Sequence, residues 1–221
     1  MAHLLERYGA DGVVARLHES VADGTRGRAA ACLGALCHCN AARDALVAYR
    51  AGAIEAILGV LETWPKEAEL AELALSALVH ATGMGNFGGA PKLFDAALAT
   101  LERHKTRLRV VQQSLRALHY VSLTLSVPPQ APRLAEGLAR VMCQWRRDDI
   151  IQWYGAHLWI AILAVEPKDI AIAHGELATR TVHETAVQVA AGVTYHCVSV
   201  GGRPWHGLVL NGLFPRLRSQ D

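Results

Sequence analysis

Residues 53–62 read AIEAILGVLE, and residues 93–102 read LFDAALATLE. Both segments carry apolar side chains three and four positions apart, which is the spacing of one helix face. The second segment repeats the first at a distance of forty residues, so that Phe94 stands where Ile54 stands. A further step of the same length leads to Leu134, which is also apolar. Self-similarity at a period of this length is typical of helical repeat proteins.

A second series of segments repeats in parallel with the first. Residues 33–36 (LGAL), 75–78 (LSAL) and 115–118 (LRAL) follow one another at steps of 42 and 40 residues. Stretches rich in glycine and proline at 83–91 and 127–129 interrupt the helical pattern. Because one helical pair cannot bury its apolar face alone, we expect stacked repeats with a continuous core.

These patterns predict an all-α chain. We expect an α-solenoid of about five helical repeats with a period of about forty residues, forming a single domain over residues 1–221. Residues 166–182 fit the register poorly, because His174 falls where an apolar residue is expected. The register returns at Gly212.

Residues 30–63 resemble an armadillo repeat. Residues 30–36 are similar to the third helix of one repeat, and residues 40–46 to the junction and first helix of the next. Gly52-Ala53-Ile54 is similar to the start of that family's second helix. Where glycine and proline replace the first helix, the repeats are closer to the related HEAT type. The resemblance implies a right-handed α-solenoid in which the third helices line a concave groove, and in armadillo proteins this groove binds an extended peptide.

A polar stripe follows from this register, because positions four apart lie on one helix face. Its members in successive third helices are Ala30, Gly34, His38, then Glu72, Ser76, His80, then Gln112, Arg116 and Tyr120. Gln113 stands where the nuclear import adaptors of the armadillo family carry a ladder of Trp and Asn. Neither Trp nor Asn occurs at the positions that match this ladder, which argues against recognition of basic nuclear-localisation peptides. The matching positions here are Ala31, Ala35, Leu73, Ala77, Gln113 and Ala117. We predict that the stripe and Gln113 contact a partner, and a plain solvated face is the alternative.

Residues 103–109 (RHKTRLR) form a basic cluster between two predicted helices. Arg107 and Arg109 are candidates for docking an acidic partner segment or an RNA backbone, and a solvated loop is the alternative. The chain as a whole has 22 basic and 20 acidic residues. It therefore lacks the basic excess that nucleic-acid binding usually shows, and nucleic acid is not the favoured partner.

Two motifs invite a chemical interpretation. Cys37-His38-Cys39 contains metal-ligand types, but consecutive helical residues point in different directions, so small core cysteines are the favoured interpretation. Residues 83–88 (GMGNFG) match G-x-G-x-x-G, yet a predicted helix precedes them where a dinucleotide site needs a strand. We therefore expect a loop there, no cofactor, no metal and no catalytic residue.

Composition also indicates in which cellular compartment we expect the protein. Five cysteines at irregular spacing suit a reducing compartment. The first residues lack a signal-peptide core, and the longest apolar stretch, 158–165, is too short to span a bilayer. We expect a soluble intracellular protein, cytoplasmic or part of a cytoskeletal or organellar complex. Four tryptophans in the second half fit a core or an interface equally; they are Trp145, Trp153, Trp159 and Trp205.

The sequence thus predicts a non-enzymatic interaction scaffold or a subunit of a larger assembly, with no membrane partner. Its partner would be an extended peptide or neighbouring subunits, bound on the concave face or at the ends of the array. Since an end repeat exposes an apolar face, we expect at least one end to pack against a partner. The alternatives are an RNA-binding ribonucleoprotein component that uses residues 103–109, and a small all-helical enzyme with buried His and Cys chemistry.

Overall fold

The computed structural model describes residues 2–39, 42–82, 90–123 and 131–163. Every regular element in these ranges is an α-helix and none is a strand, which confirms the all-α class. The helices are α1 (Ala2–Ala22), α2 (Arg26–Leu36), α3 (Ala42–Arg50), α4 (Ala53–Thr63), α5 (Ala68–Thr82), α6 (Ala90–Arg103), α7 (Leu108–Ser122), α8 (Ala131–Gln144) and α9 (Asp149–Leu163). The predictions for 83–89, for 166–182, for Trp205 and for Gly212 lie outside the described residues. The chain divides into two compact units, Met1–Thr124 and Leu125–Asp221.

In the first unit, helices pack both on their neighbours in the chain and on helices one period away. α1 packs on α2, α4 on α5, and α6 on α7. In addition α2 contacts α5, and α5 contacts α7, so the helices that carry the second sequence series are adjacent. α5 begins at Ala68 and α7 at Leu108, which is the predicted distance of forty residues.

The apolar positions of both series form the core of the first unit. Ile54 is 3% exposed, and Phe94, which occupies the same place one period later, is fully buried. The leucines of the second series are all buried as well; they are Leu33, Leu36, Leu75, Leu78, Leu115 and Leu118. Burying a side chain of this size stabilises a fold by about 1.5–3 kcal/mol. The repeated leucines therefore explain both the spacing of the helices and the contacts between them.

Glycines with positive φ shape two of the junctions between helices. Gly52, which directly precedes α4, has φ of 86°, and its N–H donates to the carbonyl of Tyr49 at 3.0 Å. A Cβ atom disfavours that backbone conformation, so glycine is the favoured residue at this reversal. Gly9 has φ of 70° and breaks α1 into two helical pieces, a kink that the sequence pattern did not predict.

The second unit is described through the pair α8 and α9, which pack on each other. The side chain of Gln152 donates to the carbonyls of Met142 at 3.0 Å and Trp145 at 3.3 Å, and so ties α9 to the end of α8. A Cβ atom added at Gly155 would lie 2.5 Å from the Sδ of Met142, so the helices approach closely here. Trp159 is buried in this unit at 2% exposure. The core interpretation is therefore confirmed for that tryptophan.

None of the helices in the described ranges has both the length and the apolar character that crossing a membrane requires.

Candidate functional site

The predicted polar stripe lies on α5, on α7, and on α2 with the turn that follows it. α2 contacts α5, and α5 contacts α7. On α2, Ala30 is half-buried and Gly34 is buried. His38 is exposed and does not belong to a helix, because α2 ends at Leu36 and a turn follows. The N–H of His38 donates to the carbonyl of Ala35 at 2.9 Å, which fixes the turn against the helix end.

The members of the stripe on α5 and α7 share one degree of exposure. All of them are half-buried; they are Glu72, Ser76, His80, Gln112, Arg116 and Tyr120. Gln113, the additional candidate beside the stripe, is half-buried too. Polar side chains in the middle of an exposed helix face are usually well solvated, so uniform half-burial indicates a surface recessed between helices.

His80 connects the three parts of the stripe. Its pKa is lowered from the ordinary histidine value, first by burial, then by the positive charge of Arg116, and then by His38. The imidazole also borders a small apolar void beside Ala77 and Ile57, which accounts for its loss of hydration. Side chains from three separate sequence segments are therefore close enough to influence one another. The lowered pKa favours the neutral form of the His80 imidazole.

Three polar atoms on α7 are buried without a hydrogen bond in the described ranges: Oγ of Ser114, which is not part of the stripe, Oε1 of Gln113 and Nε of Arg116. The guanidinium of Arg116 lies 6.0 Å from the ring centroid of Tyr120, at the outer limit of a cation–π contact. Buried polar atoms in proteins are nearly always paired, so Oε1 of Gln113 and Nε of Arg116 are candidates for hydrogen bonds that form only when the side chains move.

Cys37 links the stripe on α2 to that on α5. Its thiol donates to the carbonyl of Leu73 at 3.7 Å. Burial raises the pKa of this thiol, and a hydrogen bond with Ser76 lowers it by less. Burial also raises the pKa of the Cys39 thiol, which lies in the core. Both thiols are thus favoured in the protonated form. Over the described ranges, no three His, Cys, Asp or Glu residues are grouped so as to hold a metal ion.

The basic cluster at 103–109 is divided by the structure. Arg107 and Arg109 are exposed, as the sequence predicted, but His104 is 6% exposed and its Nε2 lies 3.0 Å from the carbonyl oxygen of Pro65. Arg103 and Arg107 border a cleft of about 500 Å³, whereas Arg109 does not. No member of the polar stripe lines this cleft. The structure therefore separates Arg107 and Arg109 from the other candidate residues.

Sequence reasoning missed the role of His104, since a histidine within a run of arginine and lysine looks like one more solvated charge. A signal was nevertheless present, because His104 follows the buried Leu101 by three positions and so continues the apolar face of α6.

Comparisons with protein-family models, with curated proteins and with solved structures find no match to this chain.

Proposed function

We propose that this protein is a non-enzymatic interaction scaffold that binds an extended segment of a protein partner along the polar stripe. In this proposal the chain is one right-handed solenoid of about five armadillo- or HEAT-type repeats, and the stripe lines its concave face. The support for the arrangement is the contact of α2 with α5 and of α5 with α7, together with the forty-residue spacing of the last two helix starts. The protein would work inside the cell, as a subunit of a larger assembly.

One observation carries the proposal: the unpaired buried atoms Oε1 of Gln113 and Nε of Arg116. An extended peptide presents backbone N–H and C=O groups along its length, and these groups require partners when they are buried. Both atoms are enclosed in the unbound chain, but the side chains that carry them are only half-buried. In this proposal the side chains rotate on binding, so that Oε1 of Gln113 accepts a hydrogen bond from such an N–H group and Nε of Arg116 donates to a carbonyl. The two side chains thus complement a peptide backbone without demanding a particular sequence.

The remaining side chains of the stripe would select among partner sequences. Glu72 offers a carboxylate to a basic side chain of the partner. Tyr120 and the neutral His80 offer flat faces on which an apolar or aromatic side chain packs. We therefore propose a partner segment of mixed character, with a basic residue and an apolar residue in extended conformation.

RNA binding through residues 103–109 has less support. Arg109 does not line the cleft that Arg103 and Arg107 border, so the cationic side chains of this cluster do not form one track for a phosphate backbone. His104 is buried against Pro65 and does not present its ring to a ligand. The basic cluster therefore does not form a continuous positive surface.

The proposal is tested with a library of random peptides displayed on phage and selected on the purified whole chain. Peptides that bind are then measured against Arg116→Met, which keeps the apolar stem of the side chain and removes the donor. Arg109→Met is the matched control, because Arg109 lies on the same helix but outside the stripe. We expect binding to weaken about tenfold in Arg116→Met and to stay unchanged in the control. Selected peptides that bind Arg116→Met as tightly as the original chain would show that the stripe is not the binding surface.

A further inference from the structure

A cleft of about 500 Å³ lies where three neighbouring helices begin. α2 starts at Arg26, α5 starts at Ala68, and α7 starts directly after Arg107, and all three residues line the cleft. The loop before α5 and the connection from α6 to α7 supply the rest of the wall. The cleft is distinct from the polar stripe and has no part in the function proposed above.

The charges in the cleft are unbalanced in favour of cations. Four cationic side chains border it together with two carboxylates. Arg26 is engaged by both carboxylates, at 3.0 Å from Glu67 and 3.3 Å from Glu69. The other three cations make no ion pair with any residue in the described ranges; they are Lys66, Arg103 and Arg107. These three charges are available to an anion from outside the chain.

The helix starts add to the positive character of the cleft. A helix N-terminus exposes unpaired backbone N–H groups and carries a partial positive charge. The residues that precede α2 and α7, Thr25 and Arg107, make no side-chain hydrogen bond to cap these groups. By contrast, the carboxylate of Asp148 accepts a hydrogen bond from the N–H of Ile151 at 2.9 Å and caps α9. The partial charges of these helix starts therefore add to the positive potential of the cleft.

His104 holds one wall of the cleft in place. Its ring is buried and joins the carbonyl of Pro65, in the loop before α5, to the end of α6. Its own carbonyl accepts the N–H of Arg107 at 2.8 Å. The backbone that carries Lys66 and Arg107 is therefore fixed before a ligand arrives, which reduces the entropy lost on binding.

We propose that this cleft binds the phosphoryl group of a phosphorylated side chain on a protein partner. A phosphoryl group carries nearly two negative charges and three acceptor oxygens, which matches three unpaired cations and several helix ends better than one carboxylate does. Nucleic acid fits less well, because a polyanion needs cationic side chains that continue beyond the cleft, and the nearby exposed Arg109 does not line it.

The test uses the purified whole chain and a library of short peptides that carry one phosphoserine in random flanking sequence. Binding is followed by fluorescence anisotropy at low ionic strength, with the unphosphorylated library and a single-stranded RNA oligonucleotide measured in parallel. The variants are Arg107→Glu and its matched control Arg109→Glu, which makes the same charge change at an exposed position outside the cleft. Arg103→Gln serves as a second, milder variant, and circular dichroism verifies that each variant is folded.

We expect the phosphorylated library to bind the original chain and Arg109→Glu alike, and to bind Arg107→Glu at least about tenfold more weakly. Inorganic phosphate should compete, and added salt should weaken the complex. Equal affinity for the phosphorylated and unphosphorylated libraries would overturn the proposal. So would RNA binding that Arg107→Glu and Arg109→Glu weaken equally, which would indicate a diffuse nucleic-acid surface. Arg116→Met should leave phosphopeptide binding unchanged, so this proposal and the stripe proposal can fail separately.

Discussion

Replacing Gln113 by methionine should raise the stability of the chain and weaken its binding of partner peptides. Oε1 of Gln113 is buried without a partner in the described ranges, and an unpaired buried polar atom destabilises a fold by about 1–3 kcal/mol. Methionine keeps the length and flexibility of the side chain, has a similar helix propensity and removes the unpaired oxygen. Because the rest of Gln113 is only half-buried, the lower end of that range applies. We expect the free energy of unfolding to rise by about 1 kcal/mol and Tm by about 2–4 °C.

Urea denaturation followed by circular dichroism measures this change, and peptide affinity is measured on the same preparation. Gln144→Met is the control, because Gln144 is exposed at the end of α8; its effect should stay within about 0.5 kcal/mol. The binding of peptides selected on the stripe should weaken about tenfold in Gln113→Met, since an acceptor for the peptide backbone is lost. A fall of the unfolding free energy by about 1 kcal/mol or more would refute the reasoning, because it would show that Oε1 is already paired in the unbound protein.

Three further changes test the packing and the titration of the chain. Gly155→Ala places a Cβ atom 2.5 Å from the Sδ of Met142, so urea denaturation should show a loss of about 1–3 kcal/mol, and Met142→Ala should cost less stability in Gly155→Ala than in the original chain. Phe94→Ala empties a fully buried site, and its unfolding free energy should fall by about 3–5 kcal/mol. The pKa of His80 is lowered from 6.5 by burial, by Arg116 and by the nearby exposed histidine on the turn after α2; the unfolded chain therefore binds more protons, and stability falls as pH drops below about 6.5. His80→Gln should reduce the difference between the urea midpoints at about pH 7.5 and about pH 5.5, and an unchanged difference would contradict this assignment.

The helices and their partners in the core could be predicted because they depend on local periodicity. The positions of Ile54 and Phe94 in the forty-residue register identify them as core residues, and both are buried. The half-burial of the stripe residues on α5 and α7 agrees with this periodicity, whereas the prediction that His38 lies on a helix was wrong, because α2 ends at Leu36. Partner binding by the stripe stays a prediction. The prediction of one solenoid domain over the whole chain depends on how the two units are arranged, and it stays a prediction.

The cleft and the kink in α1 could not be predicted, because they depend on contacts between segments distant in sequence. The cleft forms only when the starts of three helices come together, and nothing in the RHKTRLR stretch indicates that Glu67 and Glu69 lie nearby. The burial of His104 needs the carbonyl of Pro65, thirty-nine residues earlier in the chain. The sequence on both sides of Gly9 is predicted to be helical, so the pattern does not indicate its positive φ.

The position of α5 among its neighbours has a consequence for how the first unit assembles. α5 contacts α2, α3, α4 and α7, and each of these helices lies within about one period of it along the chain. Contacts of this kind close short loops, and chains rich in them fold quickly. During synthesis, α1 to α5 can pack before α7 has left the ribosome, because domains form from the N-terminal side first. The surface that joins His38 to Arg116 would then be completed last, when α7 docks onto α5.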